Sequence, residues 1–287
     1  MKSIAPRGMV PETSRRLTAL LAFAAPLVVS LSASANPRPL PFTYQYETLP
    51  KGEVEVEQFV DVAPLYAWDS EHHSVLEPAY TLTTEVEYGL TDRLELGLYM
   101  VMKNDPAGAG ADAPLYFDGL KQRLRYRIGR EGQLPVELAL YFEVAELHDE
   151  IELEEKIIVQ KRFGQLKAIA NLWVEQGFER GGEVAFYLKP TVGLVYELNE
   201  NATIGAEYWM NAEYTLAEPE GEEEEASAQD EWNHAPHHFI GPAVSLRWEK
   251  LWWTTGVYGR LDDFDRVIRP GDKFGRAWVR TAIGLQF

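Results

Sequence analysis

The 287-residue chain has no cysteine, which excludes a disulfide frame and thiolate chemistry. After its first 35 residues it also lacks any run of 18 consecutive apolar residues, so no helix of the remainder is long enough to cross a membrane. Basic residues are few: 27 Lys+Arg stand against 45 Asp+Glu, a net charge of −18. That balance argues against nucleic acid, which requires a basic footprint. No Gly-rich phosphate loop follows a strand and opens a helix, so nucleotide chemistry is unsupported and no cofactor is expected.

What is present begins with a targeting segment. Lys2, Arg7, Arg15 and Arg16 form a positive start, Leu17 to Leu31 is apolar, and Ala33-Ser34-Ala35 is a cleavage site before Asn36. The apolar run carries Pro26 and is too short for a membrane helix. We therefore expect a signal peptide over 1–35. The leader holds four cations and one anion, so the 252 residues that remain carry a net charge near −21.

Period decides the fold class. From Leu76 to Leu90 the even positions read Leu, Pro, Tyr, Leu, Thr, Val, Tyr, Leu, while the odd ones are Glu, Ala, Thr, Thr, Glu, Glu, Gly. Side chains alternate faces along a strand, so one face is apolar and the other polar. Twelve such segments recur, near 53–66, 76–90, 94–102, 115–128, 134–147, 151–163, 166–177, 183–198, 202–214, 237–249, 251–261 and 274–287. Several are long enough to cross a bilayer with tilt. Connections alternate short and long, with His148-Asp149-Glu150 the tight exception on the long side. An even strand count with sorted loops predicts an all-β transmembrane antiparallel up-and-down barrel over 53–287, preceded by a periplasmic N-terminal segment, 36–52.

The aromatics agree. Tyr88, Tyr126, Phe163, Tyr196, Trp248, Trp253 and Phe287 fall on the apolar face beside the short turns, as an interfacial girdle requires. Two features resist. Pro64, Pro78, Pro135, Pro190 and Pro242 lie within predicted strands, where each removes a ladder donor. In the sixth strand Glu155 falls on the lipid face and Ile157-Ile158 interrupts the alternation, so a bulge is expected near Lys156.

The last segment alternates strictly and ends on Phe287. In this it resembles bacterial outer-membrane β-barrel proteins, where a terminal Phe is the signal read by the barrel assembly machinery. Glu47-Thr48-Leu49-Pro50-Lys51-Gly52, Glu87-Tyr88-Gly89-Leu90-Thr91-Asp92-Arg93, Phe117-Asp118-Gly119-Leu120, Leu138-Ala139-Leu140-Tyr141-Phe142-Glu143 and Glu152-Leu153-Glu154 running into Gln160-Lys161 resemble an uncharacterised family of twelve-stranded outer-membrane barrels. The resemblance implies an integral outer-membrane location and the strand number. It supplies no substrate and no catalytic residues.

Twelve strands enclose a lumen between the filled eight-stranded and the open sixteen-stranded cases, so inward residues decide passage. Strands one to five place Glu53, Glu55, Glu57, Asp61, Glu77, Glu85, Glu87, Glu95, Glu137 and Glu143 inward, answered by Lys121, Arg123, Arg125 and Arg127 on strand four. Opposed rows make either a salt-bridged plug or a constriction whose field orients a solute. Strands seven to twelve place Trp173, Tyr187, Trp209, Phe239, Tyr258 and Trp278 inward, beside Arg260, Arg276 and Arg280. These rings either fill the lumen or form a vestibule that stacks on a solute.

The leading expectation is passive passage of a small solute through a narrow, charged, aromatic-lined channel, with both termini periplasmic. Its other partners would be outer-membrane lipid, lipopolysaccharide and the assembly machinery. One alternative is a structural or adhesive barrel acting through acidic, His-containing loops. His234, His237 and His238 follow the acidic run Glu222 to Glu225, a set that suits zinc or copper. The other alternative is a lipid hydrolase, for which His72-His73-Ser74 with Glu77 or Glu85 offers the residue types but no fixed geometry.

Overall fold

The computed structural model describes residues 37–217, 235–262 and 270–287. The expected signal peptide, the acidic run Glu222 to Glu225 and His234 lie outside the described residues. Among those described are thirteen strands: β1 (Val54–Trp68), β2 (Ser74–Thr91), β3 (Leu94–Lys103), β4 (Tyr116–Ile128), β5 (Glu137–Leu147), β6 (Glu150–Phe163), β7 (Leu166–Glu179), β8 (Val184–Leu188), β9 (Thr191–Asn199), β10 (Ala202–Ala217), β11 (His237–Trp248), β12 (Leu251–Arg260) and β13 (Ala277–Gln286). Each pairs antiparallel with its neighbours, and β13 closes on β1 through Glu55↔Gln286 to Val62↔Val279.

β8 and β9 are two halves of one barrel strand. Both pair with β7 and β10, and the register on β10 runs unchanged from Ala212↔Leu188 to Trp209↔Thr191. Pro190, which has no N–H to donate, sits at the break. The architecture is thus a closed twelve-stranded antiparallel up-and-down barrel. The other strand prolines are accommodated locally. Pro64 lies opposite Pro78, Pro242 falls in a gap of the β11–β12 ladder, and Pro135 precedes β5.

Side-chain alternation separates two environments. Outward residues such as Leu98, Leu124, Leu140, Leu172, Ile204 and Ile283 are exposed, an apolar exterior suited to lipid. At the short-turn end Tyr88, Tyr126, Phe163, Tyr196, Trp248 and Phe287 are exposed together. Trp253 is half-buried, its indole N–H donating to Thr281 at 2.8 Å. Both barrel termini meet at this end, where the Phe287 N–H donates to the Val54 carbonyl at 2.8 Å.

The bulge expected near Lys156 is absent. β6 keeps one register against β5 and β7 throughout, with Glu152, Glu154, Lys156, Ile158 and Gln160 buried inside. Glu155 does face outward, and it accepts a hydrogen bond from Gln176 at 3.0 Å. Ile158 faces inward because it has an apolar partner there. That partner comes from the N-terminal segment.

Residues 37–49, expected outside the barrel, lie within its lumen. Leu40, Thr43, Tyr46 and Leu49 are essentially inaccessible, and Arg38, Phe42, Tyr44 and Gln45 are buried. The chain turns at Pro50–Gly52, where Gly52 adopts a φ of +87° that favours glycine. Its N–H meets the Gly89 carbonyl at 2.8 Å before β1 begins. Leu40, Phe42, Tyr44 and Tyr46 alternate with other residues along this segment, a pattern that precedes the first predicted strand and gives the segment apolar groups to bury in the lumen.

Candidate functional site: the occupied lumen

A buried backbone needs partners for its N–H and C=O groups. Pro37, Pro39 and Pro41 have no N–H to satisfy. Beyond them, side chains of the wall act as acceptors. Glu207 on β10 accepts from the Phe42 N–H (3.0 Å) and the Thr43 N–H (2.5 Å). Asn171 on β7 makes a two-way contact with Tyr44, accepting its N–H at 2.7 Å and donating to its carbonyl at 2.9 Å. Gln160 on β6 accepts from Tyr46 at 3.1 Å, and Glu95 on β3 from Leu49 at 2.6 Å. Thr254 on β12 donates to the Arg38 carbonyl at 2.6 Å. The segment therefore crosses the lumen held by side chains of five strands.

Its side chains occupy distinct places. Leu40 packs with Ile169, Val195 and Ala243. A Cβ on Gly193 or on Gly205 would strike a Leu40 methyl group, so these two wall glycines leave the space that Leu40 fills. Phe42 lies 4.7 Å from Trp209 and 5.2 Å from Tyr258, ring centre to ring centre, with Phe239 stacked on Trp209 at 4.0 Å. Tyr44 and Tyr46 pack with Ala139, Tyr141 and Ile158.

Arg38 completes a buried charge cage. Its guanidinium lies 3.1 Å from Glu57, 3.3 Å from Glu85 and 3.5 Å from Glu87. Arg123 lies 2.7 Å from Glu85, 2.5 Å from Glu87 and 2.7 Å from Glu95, and Arg125 is 2.7 Å from Glu95. Glu57, Glu85 and Glu87 could by geometry hold a cation, but the two guanidinia fill that position. Glu47 is anchored by Lys167 (3.1 Å) and Gln160 (3.0 Å). Burial pushes its carboxyl up, yet the lysine and the hydrogen bonds prevail and hold it below its ordinary value.

The segment divides the lumen into two cavities. One, of about 220 Å³, lies towards the long loops and is lined by Arg38, Phe42 and Tyr44 with Lys121, Glu152, Lys156, Trp173, Glu175 and Lys189. The other, of about 510 Å³, lies at the short-turn end and is lined by Pro37, Pro39, Gln45 and Glu47 with Arg162, Lys167, Glu197 and Arg247. Of the segment, Arg38, Phe42 and Tyr44 border the first cavity and Pro37, Pro39, Gln45 and Glu47 the second.

Residues 32–262 match DUF6662, described as a family of unknown function. The chain belongs to this family. No curated protein sequence is significantly similar to it. Among solved structures it is similar to the COG4313 outer membrane channel from Pseudomonas putida F1. There the TM-score is 0.53 at 12% identity, over 84% of this chain and 98% of the channel. It is also similar to the NanC porin, with a TM-score of 0.52 at 9% identity, over 81% of this chain and 98% of the porin. At such identities the likeness lies in the outer-membrane barrel fold.

In this DUF6662 barrel the expected charge array is brought together in part. Glu85, Glu87, Glu95, Arg123 and Arg125 converge as above. Lys121 bridges Glu143 (3.3 Å), a member of the expected array, and Glu152 (3.2 Å), which is not. Glu143 also accepts from the Tyr141 hydroxyl at 2.6 Å. Arg127 donates to the Asp92 carbonyl at 2.7 Å, and Glu137 is buried lower on β5.

The expected aromatic vestibule divides. Trp209, Phe239, Tyr258 and Trp278 close around Phe42 rather than around open space. Trp173 and Tyr187 stand apart, next to lysines. Lys156 Nζ is 3.6 Å from the Trp173 ring centre and Lys189 Nζ 4.6 Å from that of Tyr187, a cation–π arrangement. Arg280 pairs with Asp61 and lies 3.9 Å above Phe42. Arg276, expected in the lumen, is exposed because β13 starts only at Ala277. Lys156, Asn171 and Glu207 were missed, although the period that turns Trp173 and Trp209 inward turns Asn171 and Glu207 inward too; only an occupant of the lumen gives them a role.

Of the candidate metal set, the two histidines among the described residues do not converge. His237 and His238 are adjacent on β11, so their side chains take opposite faces. His237 is buried, with Nδ1 2.9 Å from Asp262 and 2.5 Å from Arg260, whereas His238 meets the Tyr208 hydroxyl at 2.7 Å. Burial opposes ionisation of Asp262, but His237, the His238 backbone N–H and Arg260 hold its carboxyl well below the usual range. The pair considered for hydrolysis is not assembled either. His73 is exposed and faces Asp69 at 3.3 Å, and no hydrogen bond joins His72 or His73 to Ser74 among the described residues.

Proposed function

We propose that this protein is an integral outer-membrane channel, both termini facing the periplasm, that passes a small solute through a narrow polar lumen. The observation that carries the reading is the pairing of an apolar exterior with charged cavities on both sides of a single chain segment. A barrel with a purely structural role has no need of lysine-, glutamate- and aromatic-lined space at mid-depth. Residues 37–49 form the constriction, so the resting conductance is small. Lys121 is paired with Glu143 and Glu152, Lys156 with Glu154 and Lys189 with Glu175, and this mixed-charge wall beside Trp173 and Tyr141 suits a small polar, ring-bearing solute.

Planar-bilayer recordings of the protein spanning residues 36–287 test this. A small single-channel current that grows severalfold in Leu40→Ala/Phe42→Ala is expected. Silence of both proteins at high salt would end the channel reading.

A further inference from the structure

A strand-like segment inside a barrel normally joins a sheet edge, and a closed barrel offers none. Residues 37–49 are instead held by wall side chains, from Glu207 across Asn171 and Gln160 to Glu95. Such a track resembles a receptor for an extended peptide more than a continuation of the sheet. Main-chain bonds supply affinity and pockets for alternate residues supply selectivity.

Three features make the track selective. The Leu40 position is defined by the missing Cβ atoms of Gly193 and Gly205. The Phe42 position is a box of Trp209, Phe239 and Tyr258. The Arg38 position is a cage of three buried carboxylates. The ligand is equally specialised. Its prolines at 37, 39 and 41 remove donors that the wall does not meet and hold the chain extended. That stiffness lowers the entropic cost of docking.

We infer that the lumen is a binding site for an extended, proline-spaced peptide, and that residues 37–49 are its resident, exchangeable ligand. The site takes peptides with Arg, Leu and Phe at alternate positions followed by tyrosines. A segment of the same sequence supplied from outside, including that of a second copy of this chain, competes for the track.

The test uses the full chain from residue 36 carrying Leu40→Ala/Phe42→Ala, folded in detergent, with heat-modifiable mobility as the check on folding. These substitutions empty two pockets and leave the Arg38 charge balance intact. The probe is a fluorophore-labelled synthetic peptide of residues 37–49, followed by anisotropy. Saturable binding to the variant is expected, about tenfold or more tighter than to the wild-type barrel. A peptide carrying the same two alanines should bind about tenfold or more weaker than the wild-type peptide, as loss of two buried anchors implies.

A second barrel, Gly205→Ala with the same two substitutions, should lose the preference for Leu over Ala at position 40 of the peptide. Absence of saturable binding to the first folded variant overturns the inference, and so does equal binding of the two peptides to it or an unchanged preference for Leu at position 40 in the second. The readout is independent of conduction. Binding without any channel current would uphold the peptide site and refute the channel.

Discussion

Leu40 occupies the volume that a side chain on Gly193 would need: a Cβ built there would lie far closer to the leucine Cδ1 than two carbons can approach without a bond. The contact joins a residue of the N-terminal segment to one of β9, more than 150 positions away in the sequence. It makes size exchange a direct test of the lumenal placement. Gly193→Ala should destabilise the folded barrel by about 1–3 kcal/mol, the usual effect of overpacking. Combining it with Leu40→Ala should relieve most of that strain. Urea unfolding in detergent measures both, and simple additivity of the two losses would show that the residues do not meet.

Arg38 stands buried among Glu57, Glu85 and Glu87. Arg38→Ala leaves those carboxylates with one guanidinium fewer, a loss that typically costs about 3–5 kcal/mol. Arg38→Met should be nearly as harmful, because the stem without the charge leaves the acids uncompensated. A midpoint of unfolding equal to wild type in both variants would remove Arg38 from the cage.

Acid should loosen the segment. The Glu47 carboxyl is held below its ordinary value by Lys167 and Gln160, so its ionised form stabilises the docked state. That contribution is complete above the unfolded-state value of about 4.3 and disappears as pH falls through the lower folded value. Channel current should therefore rise on acidification below about pH 4. In Glu47→Gln the rise should be smaller and the current at neutral pH already higher. A wild-type current that is flat from neutral pH down to that range would contradict this.

Trp209 and Trp173 should behave differently although both face inward. Trp209 packs on Phe42 and Phe239, so Trp209→Ala should loosen the segment and raise passage of every solute alike. Trp173 borders the cavity beside Lys156. Trp173→Ala should selectively slow ring-bearing acids, by the severalfold that about 0.5–1.5 kcal/mol of stacking represents. Liposome swelling across sugars, aromatic acids and small ions separates the cases, and identical profiles for the two variants would defeat the distinction.

Phe287 is exposed at the short-turn end while its backbone N–H closes on Val54. Its removal should lower the yield of heat-modifiable barrel in cells and leave refolding in detergent largely unchanged. An unaltered cellular yield would show that the terminal ring does not serve assembly.

Much of the barrel was legible because the strand period is written twice, once in outward apolar residues and once in inward polar ones. Eleven of the twelve predicted segments overlap a single observed strand, and that over 183–198 corresponds to β8 and β9 on either side of Pro190. The charge array was legible for the same reason, since period alone places Arg123 and Arg125 on the face that meets Glu85, Glu87 and Glu95. What could not be read was the occupant. Ile158, Ile169 and Val195 look like lapses in a polar inner face until Leu40, Tyr44 and Tyr46 are placed against them. Arg276, His237 and His238 fell elsewhere for a simpler reason: a strand that starts three residues late, or two neighbours on one strand, sends side chains where composition does not predict.

The placement of Arg38, Phe42 and Tyr44 beside one cavity and of Pro37, Pro39, Gln45 and Glu47 beside the other also restricts how the N-terminal segment can travel. A shift by one residue would turn prolines towards the carboxylate cage and Arg38 towards the opposite compartment. A shift by two, roughly 6–7 Å of extended chain, would restore the facing but set Leu40 among buried carboxylates and Phe42 between the two glycines. Neither intermediate is tolerable, so the segment has no graded positions along the axis. It leaves as a unit or stays. Single-channel records should accordingly switch between discrete levels, without a continuum of partial openings between them.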